Sequence, residues 1–266
     1  MLEIGTGSGY NAALLCERLG SKHVTSVDID PELVELAQER LAANGYTPTL
    51  AVVDGAEGYL PGAPYDRIIA TCAVPAIPPA WLEQAAPGAV IVSDVRGPIG
   101  GTVARLTVDA EGVATGRFLP LCASFMWLRH TAESTPAQPP PWPDDDPVES
   151  TSTVDPMLLR QSSEFSFVAQ WHLPDTTWGP VTKNGARGVQ LTASDGSRAA
   201  ALGTTGGILV HQSGLRRLWD HVEKAHKFWQ TAGQPSYDRF GITATSTEQY
   251  VWYDHPRSQH RWPLSI

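Results

Sequence analysis

The chain has 266 residues, 42% of them hydrophobic, which allows a packed core in one large domain or two ordinary ones; its formal charge of −9 argues against a nucleic-acid partner. No apolar run reaches the roughly 20 residues that span a bilayer, and the opening Met-Leu-Glu-Ile-Gly has neither the basic nor the apolar part of a secretory signal. Three scattered cysteines (Cys16, Cys72 and Cys122) form no Cys-x-x-Cys pair, so they read as reduced thiols of a cytoplasmic protein, and no metal is expected.

In chain order, Leu2–Ile4 is a short apolar strand ending at a glycine-rich turn. Asn11–Leu19 follows as a helix closed by Gly20, then His23–Asp28 as a strand. Pro31 opens a second helix at the favoured first position, running to Asn44-Gly45. Leu50–Val53, Arg67–Thr71 and Ala89–Val95 read as further strands, with a helix over Pro79–Ala86 before the last. Thr102–Val108 and Val113–Leu121 form a hairpin turned by Asp109, Glu111 and Gly112. Alternating strands and helices predict an α/β domain over residues 1–130, with a mostly parallel Rossmann-like sheet and an antiparallel edge hairpin.

Residues 131–156 carry seven prolines and the run Asp144-Asp145-Asp146, which predicts a semi-extended acidic linker. Residues 157–266 predict a second, smaller α+β domain. Its expected strands are Phe165–Trp171, Gly188–Ala193, Arg198–Leu202 and Ile208–Gln212, with Asp195-Gly196 as a turn. Leu215, Leu218, Val222, Ala225 and Trp229 share one face of an expected helix, and Phe240–Ser246 with Tyr250–Tyr253 form another hairpin. Residues 210–266 carry a local charge of +2, which leaves −11 on the remainder and suits an acidic partner.

The chemistry sits in Leu2-Glu3-Ile4-Gly5-Thr6-Gly7-Ser8-Gly9-Tyr10. Glycines between a strand and a helix let the backbone turn tightly and approach a ligand. The amides at the helix start suit a ligand carboxylate, and Asp28 ends the next strand, where a carboxylate can accept two ribose hydroxyls. A dinucleotide loop would read G-x-G-x-x-G, whereas this spacing is G-x-G-x-G with Tyr10 in the third dinucleotide position. A phenol there is expected to crowd a pyrophosphate, which favours S-adenosylmethionine over NAD. Asp54-Gly55, after the third strand, adds a site for an adenine amino group.

Several segments together resemble the protein-L-isoaspartate O-methyltransferase family. They are Leu2–Tyr10, Ser26-Val27-Asp28, Val53-Asp54-Gly55 with Gly58, Ala63–Thr71, Ala73–Pro78, and Leu82-Glu83-Gln84 with Pro87-Gly88, covering about residues 1–128. The resemblance implies a class I methyltransferase fold in which Glu3, Gly5, Thr6, Gly7, Ser8, Gly9 and Tyr10 hold the methionine part of S-adenosylmethionine. It also implies Asp28 for the ribose, Asp54 and Gly55 for the adenine, and Thr71, Val74 and Pro75 along the path to the acceptor. Members of the family carry an N-terminal region that supplies part of the substrate cleft. Here the match begins at the strand itself, so no catalytic residue is assigned and a fragment is one reading.

The second domain, through Gln212–Asp220, Arg239–Thr243 and Val251–Asp254, resembles the C-terminal extension of methyltransferases paired with ATP-grasp enzymes that mature ribosomal peptides, the graspetide systems. That resemblance implies an acidic precursor peptide as substrate and an ATP-grasp enzyme as partner. Arg216 and Arg217 are then candidate peptide contacts. The expected activity is methylation of an Asp or isoaspartyl carboxylate in a peptide or protein, with the ester closing to a succinimide, either in peptide maturation or in isoaspartyl repair. The alternatives are a catalytically incomplete module that binds the cofactor or a peptide, and an NAD-dependent oxidoreductase, which Tyr10 disfavours.

Overall fold

The computed structural model describes residues 1–130 and 147–264. The chain divides into two compact units: Met1–Val95, Thr102–Thr135 and Asp238–Ile266 form the first, and Arg96–Gly101 with Pro136–Tyr237 the second.

The first unit begins with β1 (Leu2–Ile4), α1 (Tyr10–Leu19), β2 (Thr25–Asp28), α2 (Pro31–Ala43), β3 (Thr49–Val52), β4 (Tyr65–Val74), α3 (Pro79–Glu83) and β5 (Ala85–Arg96). The five strands lie in the order β3-β2-β1-β4-β5, parallel throughout. β1 is the centre, with Leu2 and Ile4 fully buried and hydrogen-bonded strands on both sides. The chain winds outward one way through β2 and β3, then returns to the other side through β4. That reversal opens a crevice at the carboxyl ends of β1 and β4, where open α/β sheets bind ligands. The helix start predicted at Pro31 is observed, and the Asp30 side chain caps it by accepting from the backbone N–H of Glu32 and Leu33. Ala12 of α1 packs on Ala37 and Leu41 of α2.

β6 (Gly101–Val108) and β7 (Ala114–Phe118) form the predicted hairpin. The Asp109 carboxylate holds its turn by accepting from the backbone N–H of Glu111 and Val113. The hairpin is not the edge of the sheet, because β7 pairs with residues 241–244 near the end of the chain.

The second unit contains β8 (Val148–Ser152), α4 (Leu158–Gln161), α5 (Ser163–His172), β9 (Thr176–Lys183), β10 (Ala186–Ala193), β11 (Arg198–Thr204), β12 (Gly207–Ser213) and α6 (Leu218–Thr231). Its five strands pair antiparallel in the order β8-β12-β11-β10-β9. Leu218, Trp219, Val222, Ala225 and Trp229 form the buried face of α6, whereas Leu215, expected on that face, precedes the helix and is 93% exposed. Three further expectations need correction here. Phe165–Trp171 is a helix, not a strand. Ser162 caps it through the Phe165 N–H, and all seven residues are buried, so the helix has no polar face to reveal its period. β9 had no counterpart in the sequence reading. The expected linker lies outside the described residues for 131–146, but its last part forms the edge strand β8, and Val154 is buried.

β13 (Phe240–Ala244), β14 (Gln249–Tyr253) and β15 (Arg261–Pro263) complete the chain. The predicted second-domain hairpin exists as β13–β14, but it belongs to the first unit. β13 pairs antiparallel with β7, aligning Ala244 with Ala114 and Gly241 with Arg117. The first sheet therefore has ten strands. This replaces the expected division at residue 156: the chain leaves the first unit and later returns to finish its sheet. Gly241 makes the return possible, since a Cβ there would stand 2.3 Å from the Gly116 carbonyl oxygen.

Candidate functional site

The carboxyl ends of β1, β2 and β4 open into a cavity of about 770 Å³ within the first unit. Its floor is the predicted glycine loop. Gly5, Gly7 and Gly9 have φ of 95°, 50° and 81°, a conformation that residues with a Cβ rarely adopt. A Cβ on Gly5 would also lie 2.9 Å from Thr71 Oγ1, and one on Gly9 3.1 Å from the Ala37 Cβ. The third glycine thus serves the approach of α1 to α2.

Asp28 and the loop are joined directly. The Gly7 backbone N–H donates to Asp28 Oδ2 at 2.9 Å, and the Asp30 N–H donates to Oδ1 at 3.2 Å. Asp28 lines the cavity, and with one backbone donor on each carboxylate oxygen both can accept again, which is what a vicinal diol needs. Below the loop, Glu3 is fully buried. It accepts from Asn11 Nδ2 and from Ser26 Oγ, both at 2.6 Å, and Ser26 Oγ lies 2.7 Å from Thr6 Oγ1. Burial pushes the Glu3 carboxyl above its ordinary range, and the neighbouring Asp28 adds to the rise, while the two hydrogen bonds oppose it. Glu3 therefore props the loop from beneath and does not line the cavity.

Thr71 Oγ1 donates within reach of the Ile4 and Gly5 carbonyls, at 3.1 and 2.8 Å, so it closes the turn after β1. The β4–β5 register shifts between Ile69 and Ala73, where this contact is made. Cys72 lines the cavity with its thiol pushed up to about 12, by burial first and then by Asp28 and Asp94, which disfavours the thiolate. Gly55 sits tightly over Ile4, where a Cβ would come within 2.5 Å of Cγ2, and its carbonyl accepts from Trp81 Nε1 at 2.7 Å. Asp54 Oδ1 accepts from the Ala56 N–H at 2.8 Å.

Of the sequence-predicted residues, Gly5, Thr6, Gly7, Ser8, Tyr10, Asp28, Gly55 and Thr71 line the cavity. Asp54 adjoins it through Gly55. Val74 is buried and Pro75 exposed, and neither lines the cavity. Tyr10 is 72% exposed, at the rim. Its ring does not fill the floor, so the expected exclusion of a pyrophosphate by crowding is not realised in that form. Arg216 lies in the second unit, where its guanidinium holds Asp175 through two nitrogens at 2.7 and 3.0 Å and Asp195 through Nε at 2.8 Å. It thus ties β10–β11 to the loop before β9. Arg217 donates from one guanidinium nitrogen to the Gln212 carbonyl at 3.2 Å.

The sequence reading missed one wall. Phe125, Met126, Trp127, Leu128 and Arg129 line the cavity together with Val103. Met126 and Leu128 bracket Ala73 of β4 through backbone hydrogen bonds of 2.7 and 2.8 Å. The signal available was a short apolar run just before the proline-rich stretch, which carries no periodicity.

Comparison with known proteins follows this geometry. Residues 1–111 match the family model for protein-L-isoaspartate(D-aspartate) O-methyltransferase. The chain is 43% identical over 124 residues to the protein-L-isoaspartate O-methyltransferase of Ignicoccus hospitalis, covering 46% of this chain and 59% of the relative. It is 46% identical over 134 residues to protein-L-isoaspartate O-methyltransferase 1 of Archaeoglobus fulgidus, covering 47% and 60%. The chain therefore spans about three-fifths of the length of these relatives. A solved protein-L-isoaspartate O-methyltransferase superposes with a TM-score of 0.50 at 16% identity, over 96% of this chain and 75% of its own. That likeness establishes the class I methyltransferase fold: a mostly parallel sheet with antiparallel additions, accompanied by a separate antiparallel sheet. No helix among the described residues is long and apolar enough to cross a membrane.

Proposed function

We propose that the chain is a methyltransferase that binds S-adenosylmethionine in this cavity and methylates an Asp or isoaspartyl carboxylate of a peptide or protein. The observation that carries the reading is the joint between the glycine loop and Asp28, made by the Gly7 N–H at 2.9 Å, inside a segment that matches the family model. The residues fit the cofactor on chemical grounds. Asp28 offers two acceptors for the ribose hydroxyls, Asp54 an acceptor for the adenine amino group, and the glycine loop with its positive φ angles an approach for the methionine part. When bound, the cofactor supplies an electrophilic methyl on a sulfonium.

The carboxylate acceptor is already an anion, so the transfer needs no general base. Transfer would exchange the carbon–sulfur bond of the bound cofactor for an oxygen–carbon bond on the acceptor, with the electron pair left on sulfur. The protein's share is then to hold acceptor oxygen, methyl and sulfur in line and to keep water away. Thr71, fixed by two carbonyls, stabilises the turn that carries the loop, and Cys72, Val92, Val103 and Phe125 make the adjoining wall apolar. Of the three residues expected along the acceptor's path, Thr71 lines the cavity, and it marks the side from which an acceptor would approach.

The methyl ester so formed is open to attack by the next backbone nitrogen; the ester carbon–oxygen bond breaks, methanol leaves with the amide proton, and a succinimide results. We assign the substrate to acidic peptides of the graspetide type, with an ATP-grasp enzyme as partner, and isoaspartyl repair is the competing fate of the same methylation. The second unit is read as the peptide-recognising part. With three Arg216 donors engaged by Asp175 and Asp195 and one Arg217 donor on Gln212, Arg217 keeps more donors for a peptide.

The test is transfer of labelled methyl to two substrates, an isoaspartyl peptide and an Asp/Glu-rich peptide without isoaspartate. Base-labile methyl ester on the acidic peptide is the expected result. Label on the isoaspartyl peptide alone assigns repair, and no transfer to either by a chain that binds the cofactor contradicts the proposed activity.

A further inference from the structure

The wall formed by Phe125–Arg129 ends at the two carboxylates assigned to the cofactor. Its backbone is anchored before that point. The Phe125 N–H donates to the buried Asp94 carboxylate at 2.9 Å, and Ala73 is bracketed by Met126 and Leu128. Next along the chain, Arg129 places its guanidinium 3.8 Å from Asp28 and 3.7 Å from Asp30, and His130 Nδ1 stands 2.9 Å from Asp54 Oδ2. Leu128 precedes them, its Cδ1 3.0 Å from where a Cβ on Gly55 would be. One short run thus meets the adenine-edge, ribose and adenine-amino positions in turn.

We infer that Arg129 and His130 are an internal clasp on the cofactor pocket: they occupy Asp28 and Asp54 until the nucleoside displaces them. The inference rests on the proposed binding of S-adenosylmethionine in this cavity. Asp28 already accepts from Gly7 and Asp30, so its two remaining lone pairs are those the ribose hydroxyls need, and the Arg129 guanidinium stands 3.8 Å from Oδ1, in ionic rather than hydrogen-bonding contact. Asp54 already accepts from Ala56 through Oδ1, so an adenine amino group must take Oδ2 from His130. A ligand whose acceptors are held by the protein binds with an apparent affinity reduced by the fraction of open clasp. Arg129 has an additional effect, because a guanidinium beside the pocket opposes the net positive charge of S-adenosylmethionine while leaving the neutral thioether product untouched. Both side chains are partly in solvent, at 34% and 69% exposure, so each contact is modest and salt-sensitive.

The experiment is titration of S-adenosylhomocysteine into the full chain as wild type, Arg129→Gln, His130→Gln and the double variant, at low and high salt. Each single variant should bind roughly two- to fivefold tighter than wild type, and the double tighter still. Wild-type affinity should rise with salt, and that of the double variant should not. Arg129→Lys, which keeps the charge, should resemble wild type, and thermal melts check that every variant folds. Binding by wild type with equal or weaker binding by the folded variants overturns the clasp alone. Absence of binding in all of the chains overturns both the clasp and the cofactor assignment.

Discussion

Glu3 lies beneath the glycine loop and does not line the cavity. Its carboxylate is fully buried, held by Asn11 and Ser26, and pushed upward chiefly by desolvation. A raised acid binds its proton more tightly when folded than when unfolded, so its contribution to stability falls as pH rises above the ordinary glutamate range toward the folded pKa. Glu3→Gln removes this titration. In denaturant unfolding at a series of pH values, wild type should lose ground to Glu3→Gln as pH rises through that window; a constant difference would show that Glu3 does not titrate differently on folding. Arg216 illustrates the opposite outcome, a residue expected at a binding surface that the fold has already engaged. The pair it makes with Asp175 holds that carboxyl below the usual range through a charge-assisted hydrogen bond. Such a depressed group adds stability above the ordinary aspartate pKa and loses it as pH falls through the folded value. Arg216→Ala should cost about 0.5–1 kcal/mol at neutral pH, after screening, and nearly nothing in strong acid. Urea midpoints at the two pH values measure this, and an effect on peptide binding with none on stability would restore it as a surface contact.

At the scale of elements, the most informative contact is between β14 and the loop after β4. Gln249 is 1% exposed; its carboxamide accepts from the Ile77 N–H at 2.9 Å and donates to the Ile77 carbonyl at 2.6 Å. A residue near the end of the chain thus fixes the loop that follows the Thr71–Pro75 segment. Gln249→Leu would leave two backbone groups buried and unpaired, and unfolding should be easier by about 2–4 kcal/mol; a loss below the typical 1 kcal/mol would mean that water or a shifted loop satisfies them. This pairing also marks the limit of what the sequence conveys. The glycine loop, Asp28 and the start of α2 were legible because each needs a particular residue type locally: positive φ, a strand-end carboxylate, a proline at the first helical turn. The α5 segment was not, because Phe165, Phe167, Ala169 and Trp171 alternate by chance in a helix buried on every side. β13 and β14 were recognised as strands and assigned to the wrong sheet, since pairing with β7 spans more than 120 residues and leaves no local trace. The Phe125–Arg129 wall was missed for the same reason.

For the molecule as a whole, the first unit is discontinuous in sequence and continuous in its sheet, with ten strands drawn from both ends of the chain. The chain's match to the family model stops at residue 111, before the Phe125–Arg129 wall and before β13–β15. The part matched by the family model supplies the glycine loop, Asp28 and Asp54, and the residues after it supply one wall of the cavity and extend the sheet. The central claim is that these parts make one cofactor site. Calorimetric titration of the full chain with S-adenosylhomocysteine, with NAD as the comparison ligand and Asp28→Asn as the comparison protein, tests it most directly. The account predicts saturable binding of S-adenosylhomocysteine, far weaker binding of NAD, and a loss of about 1–3 kcal/mol in Asp28→Asn, whose amide offers a donor where a ribose hydroxyl needs an acceptor. Unchanged affinity in a folded Asp28→Asn, or NAD bound as tightly as S-adenosylhomocysteine, would contradict it.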